Sequence, residues 1–313
     1  MGVFSFKNGV AFFAEESTPG TLETFAGSHG GLAISNPQPN IDVGRQQREI
    51  LLPQKGTLAS LATTFSGGLT FNAELKGGPS LGVAPKAGAI LKMAGFQETL
   101  DPGVDVQYDL ADNDVHHSMA LHLHDGSGGA IQFASAGALA NVVFSVGAIG
   151  EFIQMACTAI GAYVPVADVS EISTTIETKA PPVFRSGLFT VGGFALKVRS
   201  FSLDIGNQII LDPLVDSPSG FALARISQRT PTLTFEAELE KVSVHDFYGL
   251  VASDIENALV IRTEDTNNNT IRFDASKLNY ITPTLGDSNN APTVQMQAEI
   301  NYGGANELKI TID

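Results

Sequence analysis

Four histidines lie within nine residues of the stretch VHHSMALHLHDG, and imidazole is a preferred ligand of zinc and other transition metals. In an extended chain, His122 and His124 project from the same face of a strand and form a possible metal pair. Only His117 and Asp125 are candidates for a third ligand. Because protein metal centres ordinarily need at least three protein ligands, we predict no metal site. We expect these histidines, with His116, to lie on the surface of a strand.

Nucleophilic and phosphate chemistry find no support in the sequence either. There is no GxSxG segment and no recognisable Cys–His–Asn arrangement, and the single cysteine, Cys157, is expected to be a small core residue. The glycine pairs in FSGGLTF and KGGPS lack the lysine and Ser/Thr of a phosphate-binding loop, and turn geometry accounts for them. We therefore expect a protein that is not an enzyme, with no catalytic or cofactor-binding residue and no cofactor.

The charge of the chain limits its partners. Its 313 residues carry a net charge of −15, so we expect it to repel nucleic acid and anionic membrane surfaces. One cysteine excludes an intramolecular disulfide framework, as is typical of proteins that fold in a reducing cytoplasm. The N-terminus shows no secretory signal pattern. The longest uncharged run, between Asp125 and Glu151, contains polar residues and glycines that favour strands over a membrane-spanning helix.

The chain contains an internal repeat. LTFNAEL at 69–75 returns as LTFEAEL at 233–239, IDVG at 41–44 as LDIG at 203–206, and AIQFASA at 130–136 as TIRFDAS at 270–276. Three matches in the same order indicate a duplication rather than chance similarity. We therefore predict two tandem domains, residues 1–184 and 185–313. The first includes most of a Ser/Thr/Pro-containing linker, which begins at about residue 167 and runs past the boundary to residue 187.

Each repeat is predicted to be mainly β with one short helix. The first helix is expected over residues 85–94, with Gly95 as its stop, and the second over residues 244–252, with Ser243 as its cap. In the second helix, Phe247, Leu250 and Val251 should form one buried stripe.

The heptapeptides alternate strictly between apolar and polar residues. In the first, Leu69, Phe71, Ala73 and Leu75 should face the core, and Thr70, Asn72, Glu74 and Lys76 the opposite side. The second repeats the pattern, with Glu236 and Glu238 on the polar side. Such strands belong to an antiparallel sheet with one solvated face. That face is either an ordinary solvent face or, in a closed ring of many copies, a hydrated anionic wall.

The chain resembles the major tail tube proteins of long-tailed, siphovirus-type bacteriophages, in the variant with a duplicated tube domain. The resemblance rests on SLDIGNQIILDPLV followed by RTPTLTFEAEL, and on the closing GDSNNAPTVQMQAEINYGGANELKITI. It covers most of the chain, most clearly residues 185–313. It implies tandem sandwich or barrel domains whose inner sheets join into a ring-wide β-barrel. It also implies trimeric rings with pseudo-sixfold symmetry that stack into a hollow conduit for DNA.

The resemblance also implies partners and a location. The chain would bind itself, the tail terminator, the tail-tip proteins and the tape measure protein within the tube, while DNA passes through without tight binding. It would lie in the virion tail after assembly in the host bacterial cytoplasm, with no membrane partner. On this interpretation the lumen-facing candidates are Asn72, Glu74, Glu236 and Glu238, because a carboxylate-lined wall lets a duplex slide where a basic wall would hold it. Alternation alone leaves open which sheet face meets the lumen.

Two long loops are the candidates for contacts between stacked rings, because the corresponding hairpin of the family reaches the adjacent ring. The first loop contains Arg45, Arg48 and Lys55, and the second contains Ile209, Ile210, Asp212 and Leu214. Opposite charges and exposed aliphatic groups suit a stacking contact. A plain surface loop is the alternative for each.

Two other functions stay open at this stage. The inner tube of a contractile injection machine shares the fold, and a sheath protein in the same particle would identify it. A β-sandwich carbohydrate-binding or adhesin module would need exposed aromatic platforms, and a chain with no tryptophan and five tyrosines supplies few.

Overall fold

The computed structural model describes Phe4 and residues 6–50, 56–263, 269–303 and 307–313. Its strands confirm the mainly β prediction, with one short helix in each half of the described chain. The elements of the first half are β1 (Gly9–Glu15), β2 (Ile34–Gln46), β3 (Leu61–Glu74), α1 (Gly88–Met93), β4 (Phe96–Asp101), β5 (Asp105–Leu110), β6 (His117–His124), β7 (Gly129–Val146) and β8 (Gln154–Ser170). Those of the second are β9 (Leu188–Val191), β10 (Phe194–Ala195), β11 (Val198–Asp204), β12 (Gln208–Pro213), β13 (Phe221–Gln228), β14 (Thr232–Glu238), α2 (Phe247–Ser253), β15 (Asn257–Arg262), β16 (Ile271–Ser288), β17 (Ala291–Ile300) and β18 (Lys309–Ile312).

The two heptapeptides form β3 and β14, and their apolar faces are as predicted. The side chains of Leu69, Phe71, Ala73 and Leu75 are buried, as are Leu233, Phe235 and Ala237. Lys76 was predicted on the polar face and is instead 2% exposed. It lies past the end of β3, where its ammonium group is 3.4 Å from Glu74 Oε2 and donates a hydrogen bond to the backbone oxygen of Glu177 at 3.2 Å.

The two halves use the same strand order. In the first half the order is β2–β3–β8–β7–β6–β1, and in the second it is β11–β14–β17–β16–β15–β9, all antiparallel. The halves are joined because β11 also pairs with β7. One sheet therefore runs through both halves in the order β2–β3–β8–β7–β11–β14–β17–β16. The predicted domain boundary after residue 184 falls in the coil between β8 and β9, and it stays a prediction.

The long strands β7 and β16 each belong to two layers. Residues 130–138 of β7 pair with β6, while residues 143–146 pair with β11. In the second half, residues 272–278 of β16 pair with β15 and residues 278–288 with β17. Between the layers lies one apolar core that includes residues of both halves, for example Phe144 against Phe273, with ring centroids 5.2 Å apart. This arrangement is compatible with a β-sandwich, and the predicted ring-wide barrel stays a prediction.

The hairpin β4–β5 and the strand β18 tie the halves together a second time. Residues 106–109 of β5 pair with β18, and β18 pairs with β16 on its other side. On the same side of the molecule, Arg229 donates hydrogen bonds to the backbone oxygen of Ala111 at 2.7 Å and to Asp112 at 2.8 Å. The core, the β7–β11 pairing and this contact together bind the two halves to each other.

Both helices are shorter than predicted, and the predicted cap of α2 is wrong. Asp246 rather than Ser243 is the N-cap, because its carboxylate accepts a hydrogen bond from the backbone N–H of Gly249 at 2.8 Å. Phe247 is buried, and Leu250 and Val251 pack against the core as predicted. After α1, Gly95 has φ = +89°, a conformation that glycine adopts without steric cost.

The predicted linker begins later than expected. Strand β8 continues to Ser170 because residues 167–170 pair with β7. After it, the coil is tied to the first half through a bridge between Phe152 and Val183, and Phe184 is buried. The linker is therefore shorter than predicted, and its last part is a packed segment.

Candidate lumen face and free sheet edges

The four lumen-facing candidates lie on one face of the continuous sheet. Directly opposed residues in neighbouring strands share a face, and such a row crosses the sheet from β3 to β14. It consists of Asn72, Ala156, Val143, Asp204 and Thr232. Glu74 shares the face of Asn72, and Glu236 and Glu238 share that of Thr232, because side chains alternate along a strand. Sequence alternation placed two residues on the polar side of each strand, and the register of the sheet brings all four to the same side.

This face carries further carboxylates that were not among the candidates. Asp204 lies in the row itself, and Glu299 lies directly opposite Thr232. Alternation in SFSLDIG and VQMQAEI was a sufficient signal for both residues. Most carboxylates named on the polar face thus belong to the second half of the sheet, and Glu74 is the one named in the first half.

Basic residues meet this face near the ends of its strands. Lys197 lies 3.6 Å and Arg199 3.5 Å from carboxylate oxygens of Glu238, and Lys76 pairs with Glu74. Glu236, by contrast, lies opposite Ser200 and Gln295, which are neutral. Ion pairs therefore reduce the negative charge at the margins more than at the middle of the face.

A depression of about 600 Å³ opens to the solvent on the polar face where the two halves meet. Ser145, Gln154, Ser202, Glu236 and Gln295 are among the residues that line it, together with Gly147 and Glu151 of the β7–β8 loop.

The joint between β7 and β11 is well packed and well bonded. Four residue pairs, from Val143 opposite Asp204 to Val146 opposite Phe201, form its ladder. The backbone N–H of Ile205 donates to the backbone oxygen of Val142 at 3.2 Å, and the side chain of Asn141 donates to Asp204 at 2.9 Å. The core side chains of this joint are fully buried.

The continuous sheet ends in two free edges. Within the described residues, β2 pairs only with β3, and residues 279–288 of β16 pair only with β17. Each edge exposes an aliphatic side chain, since Ile41 on β2 is 41% exposed and Leu285 on β16 is 63% exposed. Unpaired strands with exposed apolar side chains favour association with another strand.

The first predicted stacking loop is only partly described. Arg45 lies in β2 and donates a hydrogen bond to Ser60 at 3.4 Å, and Arg48 is exposed. Lys55 lies outside the described residues.

The second predicted stacking loop forms the hairpin β12–β13. Ile209 is half-buried, Ile210 is 38% exposed, and Asp212 is 2.8 Å from Arg225; Leu214 just beyond β12 is 44% exposed. The hairpin bends back over the first half at Gly206, where φ is +68°. In the turn between β12 and β13, the backbone oxygen of Ser219 accepts a hydrogen bond from the backbone N–H of Phe65 in β3 at 2.9 Å.

Three of the four predicted surface histidines, His117, His122 and His124, are buried, so the prediction is wrong for them. His116 is half-buried just before β6, with its Nε2 2.7 Å from the backbone oxygen of Ala224. Strand β6 has the main core on one side and a second apolar cluster, which includes Phe12 and Phe25, on the other. His122 belongs to the second side, with its ring centroid 4.6 Å from that of Phe12 and its Nε2 3.0 Å from Gln132 Oε1. Burial lowers the pKa of His117 to about 4 and also lowers the pKa of His122.

The possible metal pair has other contacts. His124 Nδ1 lies 3.2 Å from a carboxylate oxygen of Glu171, and Asp125 accepts hydrogen bonds from Ser127 and Gly129 in a turn. Among the described residues, no group of three or more His, Cys, Asp or Glu side chains is arranged to hold a metal ion. The described helices include none that is long and apolar enough to span a membrane. The chain matches no protein-family model and no curated protein.

Proposed function

We propose that this chain is a structural subunit of a bacteriophage tail tube. The observation that carries the proposal is the continuous sheet of eight strands, which repeats one strand order twice and ends in two unpaired edges. Because the β7–β11 joint unites the two halves, the same kind of joint can unite β16 of one copy with β2 of the next. Repetition of that joint around an axis gives a closed ring with no free sheet edge.

The number of copies comes from the resemblance to tail tube proteins with a duplicated tube domain, which implies three chains per ring. With two halves in each chain, such a ring has pseudo-sixfold symmetry, and stacked rings give a hollow tube. The polar face would line the bore, because the apolar face is covered by the core and is not free to meet a lumen.

The charge of the face suits passage of DNA. A duplex carries about one negative charge per 1.7 Å of its axis, and basic side chains would hold it through release of counterions. Glu236, Asp204 and Glu299 on the polar face would instead repel it. DNA would therefore pass without tight binding, and the chain's work would be structural rather than enzymatic.

The partners follow from the same role. They are further copies of the chain, a tail terminator and tail-tip proteins at the two ends of the tube, and a tape measure protein within it. The location is the virion tail, after assembly in the bacterial cytoplasm.

The test is assembly of the purified chain, followed by sedimentation and negative-stain microscopy over a concentration series. We expect rings and hollow tubes. Leu285→Asp should block them, because it puts a charge on the free edge of β16. The matched control is Val104→Asp, since Val104 is 54% exposed in the turn between β4 and β5, away from both edges. Compact monomers at every concentration, or equal effects of the two variants, would contradict the proposal.

A second measurement addresses the bore. Assembled tubes should not retain duplex DNA on a filter, and tubes of Glu236→Lys should retain it in a salt-sensitive way. Glu236→Gln is the control for loss of the carboxylate alone. Strong retention by the unaltered tube would show that the bore does not repel DNA.

A further inference from the structure

The two heptapeptides align the halves of the sheet residue by residue. Pro39 lies opposite Leu69 in β3, and Leu203 lies opposite Leu233 in β14, so Pro39 and Leu203 occupy the same position in the two halves. The sequence match of IDVG with LDIG pairs Ile41 with Leu203, whereas the sheets pair Pro39 with Leu203. The two segments are therefore offset by two residues in the sheets, and Ile41 corresponds to Ile205.

The other side of the joint aligns in the same way. Ala73 and Ala237 are equivalent heptapeptide positions, and they lie opposite Met155 and Val294. Across the next ladder these residues face Phe144 and Leu285, respectively. Leu285 thus corresponds to Phe144, and Pro283 to Val142. In the internal joint Phe144 lies opposite Leu203, so the aligned joint between copies sets Leu285 opposite Pro39.

The backbone of β16 shows which residues point to its free edge. Leu239 N–H donates to the backbone oxygen of Pro292 at 3.1 Å, and Ile300 N–H donates to that of Pro231 at 2.9 Å. The even-numbered residues of β17 therefore direct their backbone groups to β14. Their partners in β16, which include Pro283 and Leu285, direct theirs away from β17 and toward the free edge.

The same argument applies to β2. Leu75 N–H donates to the backbone oxygen of Ile153 at 3.1 Å, so the odd-numbered residues of β3 direct their backbone groups to β8. Their partners Pro39 and Ile41 direct theirs to the free edge. Each free edge thus carries a proline, Pro39 or Pro283, at a position where a ladder would need an N–H. Strand β2 has a second proline, Pro37, in the irregular step of its register between Ser35 and Gln38.

We propose that β2 of one copy pairs with β16 of a second copy in this register, Leu285 opposite Pro39 and Pro283 opposite Ile41. The two prolines make this joint weaker than the one within the chain. The proposal rests on the proposed function in assuming that copies associate through these edges. Each proline still faces a residue with an N–H, because Leu285 can donate to Pro39 and Ile41 to Pro283. Two of the four hydrogen bonds of these pairs are lost, since proline has no N–H.

The prolines have a physical use in the free chain. Proline on an edge strand removes donors that any extended segment could pair with, and so it limits unspecific association. The internal joint has Leu203 and Val142 at the corresponding positions, where both donors are present. The pairing that forms once per chain is thus complete, and the pairing between copies is kept weak.

Cysteine cross-linking tests the register. Asn40 and Thr284 correspond to Asp204 and Val143, which lie directly opposite each other in the internal joint. Asn40 and Thr284 should exchange no backbone hydrogen bonds in the joint between copies. The Cα atoms of such a pair are about 4.5 Å apart, which is within the range of a disulfide. Cys157 is buried and should not interfere. Asn40→Cys with Thr284→Cys should give covalent trimers under mild oxidation, which return to monomers on reduction.

The control pair is Asn40→Cys with Thr282→Cys, which lies on the same face but is displaced by two residues. If rings form and only the control pair cross-links, the register is wrong. If neither the unaltered chain nor either variant forms rings in the microscope, the proposed function fails instead.

Restoring the missing donors tests the role of the prolines. Pro39→Leu with Pro283→Val introduces the residues of the internal joint and adds two backbone hydrogen bonds. The concentration at half-assembly should fall roughly 10- to 30-fold. Pro102→Val in the turn between β4 and β5 is the control for loss of a proline elsewhere. An unchanged or higher concentration, with a monomer that still unfolds cooperatively, would overturn this role of the prolines.

Discussion

Phe144 and Leu285 occupy corresponding positions in the two halves, and truncation of each to alanine should act on different processes. Phe144 is fully buried and packs on Phe273, whereas Leu285 is 63% exposed. Loss of a buried phenylalanine side chain costs about 3–5 kcal/mol of the free energy of unfolding. Truncation of the exposed leucine should change that free energy by about 0.5 kcal/mol or less.

For association between copies, truncation of Leu285 should have a larger effect than truncation of Phe144. Full burial of a leucine side chain contributes about 1.5–3 kcal/mol. Because 63% of Leu285 is exposed in the free chain, its coverage in a joint like that around Phe144 should contribute about 1–2 kcal/mol. Leu285→Ala should therefore weaken each joint about 5- to 30-fold.

Two assays separate these effects. Urea unfolding of the monomer, followed by circular dichroism, measures folding, and sedimentation over a concentration series measures assembly. Phe144→Ala should lower the urea midpoint, while Leu285→Ala should leave it unchanged and raise the concentration at half-assembly. The reasoning is refuted if both variants destabilise the monomer equally, or if Leu285→Ala assembles like the unaltered chain.

Three further predictions concern the single chain. Because burial lowers the pKa of His117 to about 4, below about 6.5 in the unfolded chain, the unfolded state binds the proton first. The free energy of unfolding should fall by up to about 3 kcal/mol between pH 6.5 and pH 4, and urea unfolding of His117→Gln should show a smaller fall; equal pH profiles would contradict this. Asp246→Ala should cost about 1 kcal/mol in thermal or urea unfolding through loss of the α2 cap, and an equal loss in Ser243→Ala would count against the assigned cap. Burial raises the pKa of the Cys157 thiol to about 12, so a thiol reagent at pH 8 should label it only in denaturant; immediate labelling of the folded chain would disprove the burial.

The faces of β3 and β14 were predictable because each strand has one covered side and one polar side. Alternation in LTFNAEL and LTFEAEL then maps directly onto burial. The histidines of β6 were not predictable in this way. Both faces of that strand are covered, so polar and apolar residues alternate there without marking a surface. The second cover, which includes Phe25, comes from a distant coil segment.

The β7–β11 joint and the free edges of β2 and β16 could be identified only from the structure. The length of β8 depends on pairing with β7, and nothing local in residues 167–170 indicates it. The significance of Pro39 and Pro283 depends on which way their backbone groups point, and that follows from hydrogen bonds made by neighbouring strands. Sequence alone marks both residues as interruptions of a strand.

The pairing of β18 with β5 has a consequence for biosynthesis. Ile312 pairs with Val106, a residue that leaves the ribosome some two hundred positions earlier. Strand β5 has no β18 to pair with until residue 312 has been translated. Contacts so distant in sequence also form slowly. The nascent chain therefore has a period in which β5 lacks its partner β18, and an unpaired strand edge favours aggregation during this period.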